Sequence, residues 1–196
     1  VDKHLGLVFH RFIQDYNLEI YVNNNKVQAW DPFYINNNAT QELAEEQIWN
    51  EDLTKCVIIQ PYVLPHKTKF LSEKEYQEAG GPKGWNAQQG IYLYRNHRLI
   101  IYGTWFDIIK KELAYNLARI KIDITADSDA EWKIDIKKST ASLPLYVRDA
   151  VERAVEVAIE KSAEVYNSRG TYNKGPVTPS LGYVWEQYKK NGQYLF

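Results

Sequence analysis

The chain has no methionine, a single cysteine and almost no net charge, and each shortage narrows what it can be. One cysteine in 196 residues excludes a disulfide framework and points to a reducing compartment. That residue, Cys56, lies inside the apolar run CVIIQPYVL and reads as a buried small hydrophobe. A net charge of -1 and a pI of about 6.5 exclude a globally basic nucleic-acid binder, so any such role needs a local patch. No run approaches the roughly 18 apolar residues of a membrane span, and no signal-peptide pattern opens the chain. A soluble, cytoplasmic protein with no membrane partner is expected. With no initiator methionine, and VDKHLGLVFHRFI already in progress as an amphipathic helix, the chain reads as a piece of a longer protein.

Catalytic signatures are also scarce. There is no G-x-S-x-G elbow, no Walker loop and no Cys-His pairing, and His4, His10, His66 and His97 show no metal spacing, so no metal ligand is assigned. GGPKGW lacks the strand-to-helix setting of a phosphate cradle and reads as a turn. Asp127, Asp129 and Glu131 read as solvated loop carboxylates. Fifteen tyrosines and six tryptophans fall mostly on strand-like segments, where aromatics are good sheet formers, which favours a sheet over a base-stacking platform.

What is present, at 44% hydrophobic and 25% charged residues, is an ordinary globular composition. After the opening helix, LEIYVNNNKVQAW alternates and turns at asparagines, predicting a hairpin. Residues 31–55 are polar and acidic and read as an exposed connection with one helical turn. CVIIQPYV is a buried strand whose Pro61 assigns it to an edge or a bulge. Ser72 caps a short helix stopped by Gly80, Gly81 and Pro82. GIYLYRNHRLIIYG is a hairpin turning at Asn96 and His97, and WFDIIKKELAYN reads as helical. LARIKIDIT places Ala118, Ile120, Ile122 and Ile124 on one strand face, and Trp132, Ile134 and Ile136 alternate as a further strand. From Leu143 to about Ser168 runs the longest helix, with Ser142 as N-cap, Pro144 in its first turn and a stripe of Val147, Val151, Ala154, Val155, Ala158, Ser162 and Val165. The remaining tail reads as turns and a short aromatic helix. The order of elements predicts an α+β fold, one sheet with covering helices.

Four stretches taken together are HLGLVFHRFI at 4–13, LEIYVNNNKVQAWDPF at 18–33, AGGPKGWNAQQGIYLYRNHRLI at 79–100, and LARIKIDI with DIKKSTASLP and RDAV between 117 and 151. They resemble the transducer (middle) domain of bacterial heat-shock-protein-90-like and MORC-like ATPases of the gyrase, Hsp, histidine kinase and MutL group. The resemblance implies a ribosomal-protein-S-five-domain-two-like fold, a mixed β-sheet covered by helices on one face with a long helix near the C-terminus. It implies that residues 1–169 are the transducer, 1–16 leading in from an N-terminal ATP-binding domain, and that 170–196 begin the next region. It also implies ATP and Mg in the full-length parent, none in the fragment, with the ATP-binding domain, a second copy, and a client protein or DNA as partners. In such ATPases a lysine just before the long helix reaches the γ-phosphate; Lys138 of DIKKST is the better match and Lys137 the second. The residues themselves leave those lysines between a solvated loop and an anion contact, although a strand end before a helix N-terminus suits phosphate.

The nucleotide-binding signature of the group is missing: there is no D-x-G-x-G, and EQIWN at 46–50 and ELAYN at 112–116 match E-x-x-x-N by chance. The fragment alone is therefore not expected to hydrolyse ATP. A rival reading is a nucleic-acid-binding module in which Arg95, Arg98, Lys110, Lys111, Arg119 and Lys121 share a surface, and a third is a client-binding surface with exposed apolar patches.

Overall fold

Alternation along one strand decides the architecture. The computed structural model describes residues 1–135 and 141–168. In β8 (Ala118–Ile124), Ala118, Ile120, Ile122 and Ile124 enter one apolar cluster while Arg119, Lys121 and Asp123 point the other way. β8 lies in the middle of a mixed sheet with β5 (Cys56–Val63) antiparallel on one side and β6 (Gly90–Arg95) parallel on the other. β7 (Arg98–Thr104) pairs with β6, and the short β3 (Gln41–Glu42) and β4 (Glu46–Trp49) both pair with β5.

Helix α6 (Leu145–Asn167) covers the first face with Val147, Ala150, Val151, Ala154, Val155 and Ala158 buried against Ile59, Ile91, Leu93, Ile120 and Ile122. Small side chains at this spacing let the helix lie close on the sheet. Ser162 continues the stripe as a polar residue because its hydroxyl donates to the Ala114 carbonyl at 2.7 Å and accepts the Leu117 N–H at 3.3 Å. The second face is covered as well, which the expectation of helices on one face did not include. Tyr92 and Tyr94 of β6 project there and need apolar cover, supplied by Leu7 of α1 (Asp2–Val8) and by Phe33. Both faces thus carry a packed apolar cluster, the second over only part of its area, and the molecule is α+β. No helix among the described residues is long and apolar enough to cross a membrane.

Several local expectations are corrected. The opening helix breaks at Phe9 (φ -109°, ψ 15°), giving α1 and α2 (His10–Asp15). The asparagine hairpin is β1 (Tyr21–Val22) and β2 (Asn25–Lys26), with Asn23 and Asn24 both at positive φ, as a tight turn of this type requires. Residues 31–55 hold β3 and β4 instead of a helical turn. Pro61 sits inside β5, which is not an edge strand: it falls in the gap between the Glu46–Ile59 and Glu42–Tyr62 pairings, where the neighbouring strand is interrupted and its missing N–H is harmless. Leu43 N–H still reaches the Pro61 carbonyl at 3.0 Å.

WFDIIKKELAYN is not an α-helix, because Phe106 and Asp107 take left-handed φ values of 49° and 60° and only Leu113–Tyr115 forms a 3₁₀ turn. The Ser72-capped helix is α3 (Glu73–Ala79), with the Glu75 N–H on the Ser72 hydroxyl at 3.1 Å; a further short helix, α4 (Trp85–Gln88), follows. Of the expected strand through Trp132, Ile134 and Ile136, Trp132 instead ends a helical turn, α5 (Asp129–Trp132), followed by Lys133 at φ 46°, and Ile136 lies outside the described residues. At the start of α6 the N-cap is Pro144, not Ser142. Cys56 is half-buried rather than buried. The expected tail elements in 170–196 lie outside the described residues.

Candidate functional site

Lys137 and Lys138 lie outside the described residues, but both ends of their segment are placed. Trp132 is fully buried under the start of α6, and Ser142 donates its N–H to the Trp132 carbonyl at 2.8 Å. One hydrogen bond therefore closes the base of the segment between these two residues. The turn leading into it is fixed by charge: both oxygens of Asp129 accept from Arg95 Nε at 2.6 and 2.9 Å, tying α5 to the end of β6. Asp129 and Glu131 are thus engaged, contrary to the expectation of solvated carboxylates. Glu131 takes the Lys55 ammonium at 2.6 Å and the Tyr146 hydroxyl at 3.2 Å, joining β5, α5 and the first turn of α6. Burial, with Glu131 second, pushes the Tyr146 hydroxyl up to about 12.

A shallow cleft of about 510 Å³ opens beside this junction, lined by Glu51, Asp52, Glu131, Lys133, Leu145 and Tyr146 among others. No side chain caps α6 among the described residues, and of its first N–H groups that of Val147 donates to the Pro144 carbonyl at 3.2 Å. Three carboxylates on the wall work against an anion, and Lys133 is the one cation the described wall supplies.

The other sequence candidates separate. Glu46–Trp49 is strand and Leu113–Tyr115 a 3₁₀ turn, so neither E-x-x-x-N match stands on a helix. The proposed basic face does not assemble from its six members: Arg119 is fully buried, Arg95 is paired with Asp129, and Lys111 donates to the Ala87 carbonyl at 2.8 Å. His10 is buried, and among the described residues no group of three or more His, Cys, Asp or Glu is placed to hold a metal ion.

Two arrangements were not anticipated. Arg119 donates to the Pro32 carbonyl and, at 3.4 Å, to the Ala79 carbonyl, with Trp30 and Trp85 rings 5.5 Å and the Tyr92 ring 6.0 Å from its guanidinium carbon. Burial lowers its pKa, opposed by Tyr92 and Asp31. This cage explains why QAWDPF and AGGPKGW belong together: Gly81, at φ +75°, leaves room for the Trp30 ring, which a Cβ would meet at 2.5 Å. AGGPKGW is thus a packing device that seats α4 and β6. The second arrangement lies on the same sheet face beside α2. Arg11 pairs with Asp123, His10 Nε2 and the Tyr94 hydroxyl are 2.8 Å apart, and Lys121 reaches the Tyr62 hydroxyl at 3.3 Å. The legible signal was the polar half of ARIKIDI, Arg119, Lys121 and Asp123, which alternation places on one face.

No family model matches the chain, and no curated protein matches it.

Proposed function

We propose that the chain is the transducer module of a multidomain ATPase, with a ribosomal-protein-S-five-domain-two-like fold, coupling ATP binding in an adjoining domain to movement of the parts that follow. The observation that supports this reading is the Trp132–Ser142 hydrogen bond, which ties the two ends of the lysine-bearing segment together just before the longest helix. A lysine presented from such a base and touching the γ-phosphate only in a closed state lets ATP favour that state by its differential contact. In this reading Lys138 makes the contact and Lys137 is its neighbour. The parent binds Mg-ATP, closes as a homodimer in the cytoplasm, and acts on a client protein or on DNA.

The test is ATP turnover by a chain that carries the nucleotide-binding domain, with Lys137→Ala and Lys138→Ala combined. A charge-assisted hydrogen bond of about 1.5 to 3 kcal/mol, formed only on closure, predicts a fall of roughly tenfold to a hundredfold. An unchanged rate rejects the switch.

A further inference from the structure

The face of the sheet opposite α6 is only partly covered. Beyond α2, the strands β5 and β8 form the floor of an open cleft of about 560 Å³, a size typical of small-molecule sites, which run from about 300 to 1,000 Å³. Its floor and walls are largely apolar: Phe33 is buried, Ile58 is half-buried, and Tyr16 and Ile35 stand at 59% exposure on the rim.

The charged groups lining it are not equivalent, and of its three carboxylates Asp15 is exposed to solvent. Asp123 is held by both terminal nitrogens of Arg11, at 2.5 and 2.9 Å. Asp31 accepts the Phe33 N–H at one oxygen and the Ile35 N–H at the other, both at 2.9 Å. His10 is occupied by Tyr94 and Gln14. Lys121 stands apart: its ammonium has three donors, and among the described residues the Tyr62 hydroxyl at 3.3 Å is its one hydrogen-bond partner. The acidic groups near it, Asp123, Glu42 and Glu45, make no ion pair with it, and Glu42 accepts the Tyr62 hydroxyl at 3.2 Å. Burial lowers the Lys121 pKa, with Asp123 opposing and Arg11 adding to the fall. A half-buried ammonium with free donors over an apolar floor lacks an acceptor of opposite charge.

We propose that this cleft binds a small carboxylic acid with a flat apolar body, its carboxylate on Lys121 and its body against Phe33, Ile58 and Tyr62. Lys121 supplies the charge and two donors, and the apolar floor beside it takes the ligand body. This site is independent of the transducer reading, since it involves neither Lys137 nor Lys138.

The test is an equilibrium titration with 2-naphthoate as the probe and 2-naphthamide as its neutral counterpart, followed by backbone amide shifts of the isotopically labelled chain. The expected result is saturable binding of 2-naphthoate with shifts at Ile58, Tyr62 and Lys121, and binding of 2-naphthamide weaker by about tenfold or more. Lys121→Met abolishes that difference and Lys121→Arg keeps it. Equal affinity for the two probes, shifts confined to another surface, or no saturable binding at millimolar 2-naphthoate overturns the proposal. The comparison of the two probes on the unaltered chain decides the matter even where Lys121→Met does not fold.

Discussion

Arg11 and Asp123 join α2 to β8, the middle strand of the sheet. Their fork contacts are 2.5 and 2.9 Å, and the guanidinium sits 4.0 Å from the centroid of the Tyr94 ring. Both side chains are largely shielded, at 14% and 24% exposure, and a bidentate pair stacked on an aromatic ring is among the stronger polar contacts a protein makes. Arg11→Ala is expected to lower unfolding free energy by about 2 kcal/mol in urea titrations. A double-mutant cycle with Asp123→Asn should return a coupling above about 0.5 kcal/mol. A loss within about 0.5 kcal/mol for Arg11→Ala would show that the fork does not anchor α2.

Gly81 and Gly84 share a positive φ, 75° and 78°, but not the same surroundings. A Cβ on Gly81 meets the Trp30 ring at 2.5 Å, whereas one on Gly84 meets nothing within 4 Å. Gly84→Ala is expected to cost about 1 kcal/mol from backbone strain alone, and Gly81→Ala about 2 kcal/mol or more, with a change in tryptophan fluorescence. Equal losses by denaturant unfolding would mean that Trp30 yields freely.

Arg119 is a fully buried cation held by backbone carbonyls and aromatic rings, and its Nε–H has no acceptor among the described residues. Removing it leaves a cavity and strips a donor from the Pro32 and Ala79 carbonyls. Arg119→Ala should cost about 3 kcal/mol or more in unfolding experiments, with red-shifted emission as Trp30 and Trp85 meet water.

His10 should make stability depend on pH. Burial lowers its pKa from 6.5, with Asp31 and Gln14 opposing and Arg11 adding to the fall. The unfolded chain therefore binds the proton more readily, and the sign is fixed: this contribution is complete above about pH 6.5 and is lost as pH falls through the lower folded value. In paired unfolding measurements from pH 7.5 to 5.5, the wild type should lose more stability than His10→Gln. Parallel curves would contradict a buried neutral imidazole.

The sheet was legible wherever burial imposed a strict period. Ala118, Ile120, Ile122 and Ile124 share a face as their alternation requires, and α6 buries the stripe its 3.6-residue spacing predicts. The failures came where a tertiary contact outweighs local pattern. Trp132 reads as a strand residue but caps the floor of a helical turn because Asp129 is drawn to Arg95. The Phe106 and Asp107 backbone turns left-handed at the start of WFDIIKKELAYN, breaking a helical pattern that propensity favoured. Pro61 pointed to an edge or a bulge, yet β5 is interior, because the break between β3 and β4 removes the need for its N–H. The Arg119 cage was hidden for a different reason: Trp30, Gly81 and Arg119 are far apart in sequence, and no local signal joins them.

Amine footprinting of Lys137 and Lys138 tests the transducer reading most directly, in a longer chain that includes the nucleotide-binding domain this reading proposes, supplied with Mg. With a non-hydrolysable ATP analogue, Lys138 is predicted to label several-fold more slowly than with ADP, while Lys137 changes less. Equal labelling of Lys138 with the triphosphate analogue and the diphosphate would contradict a lysine that senses the γ-phosphate.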